Sequence, residues 1–213
     1  MQFQSFHEHV GMFEVPDDIA QETLGAVYRL KERNPESVGR ATVTDEGMMS
    51  NVGGWIMPLP TQDCPHWDDF LLIREHICRQ TAEYLKYLGC KGDFAIQVCK
   101  AEAYVNQPGA FHLMHTHIGG EFACVIWLQA DKGAGDLYIM SPMHNRFING
   151  LQFTEKENYN CMILEPRKNA GVIFSNSLIH HVDVNRSSRE RIGLGCHVSI
   201  IPGDRLVEMQ QLT

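Results

Sequence analysis

The second half of the chain consists of short apolar runs separated by turn residues. Beyond Gly92, Val, Ile, Tyr and Phe recur in short stretches, and no long helical periodicity interrupts them. The predicted strands are 94–106, 110–115, 121–129, 136–140, 161–165, 171–175, 180–184 and 191–200. A series of strands like this predicts a jelly roll of two facing sheets, so the expected fold class is mainly β with flanking helices.

Helical patterns are confined to the first half. Residues 15–33 carry apolar side chains at helical spacing, with Asp17 as a candidate N-cap, and residues 67–88 carry a second apolar stripe. Both helices are expected to pack against one sheet of the jelly roll. The polar segment 34–60 between them is aperiodic and rich in turn residues, so it is predicted to be a long loop without regular structure, suited to act as a lid.

The chain has no internal repeat and no low-complexity tract that would mark a linker. We therefore expect a single domain, 1–213, with a helical and loop part, 1–92, and a jelly-roll core, 93–213.

Charge and composition narrow the choice of partners. The net charge is -8 without a cluster of Lys and Arg, which argues against nucleic acid. Apolar runs such as 122–128 are shorter than the roughly 20 residues of a membrane helix, and the seven cysteines are scattered without C-x-x-C spacing. These features favour a cytoplasmic protein that acts on a small molecule or a protein side chain. We also consider a homodimer.

Histidines are the most distinctive polar feature of the predicted strands. His115 and His117 would project to the same face of an extended segment, about 7 Å apart, which suits two ligands of one ion. A late strand that returns beside them carries His180 and His181, of which only one can share that face. The histidines are therefore either a metal-binding triad or the polar end of a solvated strand.

Arg191 leads into a strand that is otherwise apolar. Its guanidinium group either pairs with Glu190 or Asp183 at the rim or holds the carboxylate of a bound dicarboxylate. Asn106, just before a Pro-Gly turn, either binds the same cosubstrate or caps its own backbone.

Four stretches in order resemble a known family. They are SNVGGW (50–55), VNQPGAFHLMHTH (105–117), VIWLQADKGAGDLYIMSP (125–142) and GVIFSNSLIHHVDVNRSSRERIGL (171–194). They are similar to small Fe(II)/2-oxoglutarate-dependent dioxygenases found in marine bacteria and phages. The resemblance implies a double-stranded β-helix and an enzyme that uses Fe(II) and 2-oxoglutarate to hydroxylate its substrate.

The resemblance also implies roles for individual residues. His115 and His180 would bind the metal, and Arg191 would pair with the distal carboxylate of 2-oxoglutarate. His180 is preferred to His181 because Val182 and Arg191 then stand at the spacing that the superfamily shows. His117 replaces the Asp or Glu that most of the superfamily has as the second ligand. It would be the third metal ligand here, and the three histidines would form the catalytic centre.

Two other interpretations remain open on the sequence alone. The pattern Gly109-x5-His115-x-His117-x3-Glu121 is close to a metal motif of cupins, in which Glu121 would be a ligand of a dioxygenase or isomerase without 2-oxoglutarate. That interpretation lacks the glycine expected soon after Glu121. A jelly roll without metal, used only for binding, would leave Arg191 without an explanation.

Overall fold

The computed structural model describes residues 9–38, 42–44, 47–59, 67–117, 119–140 and 161–203. It contains the helices α1 (Asp17–Arg33) and α2 (Leu71–Tyr87), the second preceded by a 3-10 turn, Trp67–Phe70. Its strands are β1 (Val10–Glu14), β2 (Thr42–Thr44), β3 (Gly47–Met49), β4 (Asn51–Val52), β5 (Trp55–Leu59), β6 (Phe94–Asn106), β7 (Phe111–His115), β8 (Phe122–Gln129), β9 (Leu137–Met140), β10 (Cys161–Leu164), β11 (Ala170–Ser175), β12 (His180–Val182) and β13 (Arg191–Pro202).

Two antiparallel sheets form the body of the described chain. A six-stranded sheet has the order β1-β11-β8-β13-β6-β5, and a five-stranded sheet has the order β10-β9-β12-β7-β4. All eight strands predicted for the second half are present, with small changes at their ends, so the mainly β prediction is confirmed.

The two faces of the six-stranded sheet have different partners. Alternate side chains of β6 and β13 share a buried cluster with residues of both helices; the cluster includes Ala103, Val105, Ile192, Leu194, Val27, Leu30, Ile73 and Ile77. The opposite face contacts the five-stranded sheet, and Trp127, Leu137, Phe174 and Val182 lie in a second cluster between the sheets. Because strand residues alternate, Tyr104, Asn106 and Arg191 also project between the sheets. Among the described helices, none is both long and apolar enough to cross a membrane.

The prediction that segment 34–60 has no regular structure is wrong. Residues 51–52 pair with β7, and residues 55–59 pair with β6. These strands are too short to show periodicity, and their partners lie far along the chain. β5 tolerates Pro58 because it is the edge of its sheet. Residues 39–41, 45–46 and 60 of this segment lie outside the described residues.

Two further corrections concern the N-terminal part. β1, which the sequence did not indicate, forms the other edge of the six-stranded sheet. Asp17 is not the N-cap of α1: Pro16 occupies that position, and no side chain caps the helix there. Pro16 presets the backbone for the helix start, and it cannot supply a side-chain acceptor.

Candidate metal centre

Three histidines converge between the sheets. His115 ends β7, His180 begins β12, and the two are directly paired across the antiparallel strands. His117 follows two residues after β7, and its Nε2 atom lies 3.1 Å from Nε2 of His180. One ligand atom from each of the three side chains can be chosen so that all lie within 4.8 Å of one another. The fold therefore provides a compact set of three imidazole nitrogens.

Backbone contacts fix the orientation of two of these rings. The Nδ1 atom of His115 lies 2.7 Å from the carbonyl oxygen of Leu113, and Nδ1 of His180 lies 2.9 Å from that of Leu178. A carbonyl group only accepts hydrogen bonds, so both Nδ1 atoms must carry the proton. Each of these Nε2 atoms then carries a lone pair that can bind a metal, which is the arrangement that metal-binding histidines use.

Burial keeps the three imidazoles neutral. It lowers the pKa of His117 to about 2, with further contributions from nearby histidines, and it lowers the pKa of His180 to about 3. The pKa of His115 is also lowered, mainly by burial. The Nε2 atoms of His117 and His180 are 3.1 Å apart, so they can share a proton or, when both lone pairs are free, a cation. The donor set therefore fits a metal ion such as Fe(II).

Sequence reasoning assigned no role to two residues that border the histidines. Ser50 lies just before β4, and its Oγ atom is 3.4 Å from Nε2 of His115. His197, on β13, packs its ring edge-on against the ring of His117, with the ring centroids 4.2 Å apart. Ser50 is the first residue of the stretch SNVGGW, so the resemblance of that stretch to the family could have indicated that Ser50 lies near the site.

Arg191 is buried between the sheets. Its Nη1 group donates to the backbone carbonyls of Ala134, Gly135 and Asp183. Its Nη2 group is buried and has no hydrogen-bond partner among the described residues. Burial lowers the pKa of Arg191, whereas Tyr104 acts in the opposite direction. An unpartnered half of a guanidinium group fits a carboxylate ligand.

The alternative that Arg191 is a rim residue paired with a neighbouring acid is wrong. The Asp183 carboxylate is held by Arg186 at 2.7 Å, and Glu190 pairs with Lys31 at 3.2 Å. Arg191 therefore reaches backbone carbonyls and leaves its second nitrogen for another group.

Asn106 and His181 lie close to this centre. The side chain of Asn106 is buried between Asn51 and His112, with hydrogen bonds to both. A direct contact between Asn106 and a cosubstrate stays a prediction. His181 points away from the three histidines and stacks on Tyr138, with ring planes 7° apart.

Glu121 takes a structural role in the described region. Its Oε2 atom accepts a hydrogen bond of 2.7 Å from the backbone N–H of Ile200. Among the described residues, the converging group of potential ligands consists of the three histidines and does not include Glu121. The cupin interpretation therefore lacks the carboxylate that it requires.

Comparison with known proteins agrees with this geometry. Residues 103–196 match a family described as "Putative 2OG-Fe(II) oxygenase". That stretch contains the three histidines and Arg191. A search of curated proteins found no sequence that matches this chain.

Several solved structures share the fold. A prolyl-4-hydroxylase from Pseudomonas putida is 18% identical over 90% of this chain and 93% of its own, with a TM-score of 0.54. A prolyl hydroxylase from Trichoplax adhaerens, in complex with a hypoxia inducible factor peptide fragment, is 12% identical over 88% and 83%, with a TM-score of 0.59. The non-heme alpha ketoglutarate dependent epimerase SnoN from nogalamycin biosynthesis is 12% identical over 92% and 79%, with a TM-score of 0.60. At these identities the likeness shows a common jelly-roll fold.

Proposed function

We propose that this chain is a 2-oxoglutarate-dependent Fe(II) oxygenase, and so an oxidoreductase, and that His115, His117 and His180 hold its iron. We propose further that it hydroxylates a C–H bond of a small molecule or a protein side chain. The observation that carries the assignment of the ligands is their convergence, with all three ligand atoms within 4.8 Å. The fixed Nδ1–H groups of His115 and His180 support it.

Arg191 is the proposed anchor of the cosubstrate. Its Nη1 group is held by three backbone carbonyls, so the guanidinium plane is fixed before a ligand arrives. Its Nη2 group is the part that can pair with the distal carboxylate of 2-oxoglutarate. When bound, iron and 2-oxoglutarate would supply the oxidising chemistry together with O2: one oxygen atom of O2 converts 2-oxoglutarate to succinate and CO2, and the other is available for the C–H bond of the substrate.

The protein itself positions the reactants and excludes water. Trp127 and Phe174 are fully buried in the cluster between the sheets, on the side of the histidines. The ring of Phe174 lies 4.9 Å from that of His180, so an apolar wall supports the metal-binding edge. Such a wall lowers the local dielectric constant and strengthens each charged contact inside the site.

The proposed substrate class follows from charge and from the relatives. A net charge of -8 disfavours a polyanion. Two of the similar structures are named prolyl hydroxylases, one of them in complex with a peptide fragment. We therefore propose a small molecule or a protein side chain as the substrate, in the cytoplasm.

Anaerobic titration with Fe(II) tests the metal ligands. Wild-type protein should bind one Fe(II), and His180→Ala should lose stoichiometric binding because one of three imidazoles is gone. His181→Ala is the matched control, since this neighbouring histidine stacks on Tyr138 and faces away. Full iron binding by His180→Ala, or its loss in His181→Ala, would contradict the assignment. Glu121→Gln should retain iron, and its loss there would favour the cupin interpretation.

A further inference from the structure

A chain of buried hydrogen bonds connects the segment after β4 to the interior. The backbone N–H of Gly54 donates to Oδ1 of Asn51 at 3.3 Å, and Nδ2 of Asn51 donates to Oδ1 of Asn106 at 2.8 Å. The Nδ2 atom of Asn106 lies 2.7 Å from Nε2 of His112. Both asparagine residues are fully buried. We call Gly54, Asn51, Asn106 and His112 the amide relay.

The direction of every bond in the amide relay is fixed by its first member. A backbone N–H can only donate, so Asn51 must present its oxygen to Gly54 and its NH2 group to Asn106. Asn106 must then present its oxygen to Asn51 and its NH2 group to His112. Nε2 of His112 is therefore an acceptor, and in a neutral imidazole the proton must be on Nδ1. The relay thus sets the tautomer of His112.

Glycine at position 54 is required by this arrangement. A Cβ atom there would lie 2.0 Å from Oδ1 of Asn106 and 2.8 Å from Oδ1 of Asn51. Even alanine would collide with two members of the amide relay. The close approach gives a physical reason for the second glycine of the stretch SNVGGW.

His112 is kept neutral by its surroundings. Burial lowers the pKa of His112 well below its ordinary value, and the positive charge of Arg191 lowers it further. A neutral imidazole has one nitrogen that donates and one that accepts, and the tautomer decides which nitrogen does which. His112 therefore carries its hydrogen-bond donor at Nδ1.

Two N–H donors, on His112 and Arg191, belong to residues that both lie beside Asn106. Asn106, which contacts His112, is directly paired with Arg191 across β6 and β13. Among the described residues, Nη2 of Arg191 is buried and has no hydrogen-bond partner. The His112 ring uses its Nε2 atom for the contact with Asn106, which leaves the Nδ1–H group for another acceptor. The Tyr104 ring lies between the strands, 5.4 Å from the His112 ring. A ligand that satisfies both donors must carry acceptor oxygens and negative charge.

We propose that His112 donates its Nδ1–H to the 2-oxoglutarate carboxylate that Arg191 holds, and that the amide relay maintains the tautomer needed for this bond. The inference rests on the proposed function, because it assigns a second residue to the same cosubstrate. His112 is a binding residue in this scheme, and Asn51 is a positioning residue that acts through Asn106.

Binding of two 2-oxo acids tests the proposal. 2-Oxoglutarate and 2-oxovalerate have the same chain length, but 2-oxovalerate lacks the distal carboxylate. In anaerobic calorimetry with Fe(II)-loaded protein, His112→Leu should weaken 2-oxoglutarate binding by about 10- to 100-fold, as expected for loss of a hydrogen bond to a charged group. Its affinity for 2-oxovalerate should not change. His112→Asn, which can place an N–H where Nδ1 stands, should recover part of the loss.

The relay has its own readout in the tautomer. In zinc-loaded protein, nitrogen-proton NMR should show wild-type His112 protonated at Nδ1. Asn51→Leu frees the amide of Asn106 to turn, so a mixture of tautomers should appear together with weaker 2-oxoglutarate binding. A wild-type His112 protonated at Nε2 would overturn the proposal. An equal loss for both 2-oxo acids in His112→Leu, or no loss for either, would also overturn it.

The proposed function can fail separately. If wild-type protein binds neither Fe(II) nor 2-oxoglutarate, the function assigned above is wrong. If wild-type protein binds both, and the His112 and Asn51 variants bind 2-oxoglutarate equally well, only the role of the amide relay is wrong. Retained Fe(II) binding in each variant shows that the fold and the three histidines are intact.

Discussion

Replacing Arg191 by glutamine removes the guanidinium group, because the shorter glutamine side chain ends where Nε of arginine lies. The Nη1 group bonds backbone carbonyls, including those of Ala134 and Gly135, and these bonds hold the arginine side chain in place. The Nη2 group has no partner in the described structure, so it is the half whose bond to a ligand is lost. A hydrogen bond to a charged group contributes about 1.5–3 kcal/mol, which corresponds to a loss of about 10- to 150-fold in affinity for 2-oxoglutarate.

Anaerobic calorimetry on Fe(II)-loaded protein measures this loss directly. Arg189→Gln is the matched control, because Arg189 lies two residues away and its side chain is mostly exposed beside Asp131. We expect the control to bind 2-oxoglutarate like wild type, since an exposed ion pair contributes little. Wild-type affinity in Arg191→Gln, with the fold verified by its iron binding, would refute the assignment of Arg191 as the anchor.

Three further predictions follow from contacts around the centre. In a denaturant titration, Gly193→Ala should lower the free energy of unfolding by at least about 2 kcal/mol, because its Cβ would collide with the carbonyl oxygen of Ile126. Gly195→Ala is the control and should be tolerated, because its Cβ would meet Glu102 at an ordinary 3.5 Å. Burial raises the pKa of Glu102 from 4.5 to about 6, so the folded state retains a proton that the unfolded state has lost, and stability falls as pH rises through this interval. Glu102→Gln should remove this loss of stability, which amounts to up to about 2 kcal/mol at a pH above the folded pKa. A pH profile of the free energy of unfolding that is the same in Glu102→Gln and wild type would contradict the prediction. His117→Asp should retain iron and form succinate from 2-oxoglutarate and O2 at least as fast as wild type; loss of iron in this variant would mean that the site requires an imidazole there.

Much of the fold could be predicted because its signals are local. β8 and β13 are long apolar strands between clear turn residues, and their patterns can be recognised without knowledge of their partners. β4 contains only Asn51 and Val52, and it is a strand because β7 lies beside it. Whether such a short segment forms a strand depends on pairing with a segment distant in sequence, and no local sequence pattern indicates that pairing.

The candidate site was predictable to a similar degree. The spacing of His115 and His117, with a later histidine on a returning strand, indicated a triad before the structure showed the three side chains together. The surroundings of Arg191 could not be predicted, because two of the three carbonyls that it contacts belong to a turn more than fifty residues away. The tautomer of His112 could not be predicted either, because it depends on the backbone N–H of Gly54, in the connection between β4 and β5.

The proposed metal site has no carboxylate ligand. Fe(II) held by three neutral imidazoles would keep its charge of +2, whereas an Asp or Glu at position 117 would reduce it to +1. Arg191 adds a second positive charge in the same buried space. Before the cosubstrate binds, these charges repel each other across a medium that screens them poorly. The dianion of 2-oxoglutarate compensates for both, so iron and 2-oxoglutarate should each increase the affinity for the other by the same factor. That coupling should be smaller in His117→Asp, because the aspartate already supplies part of the negative charge.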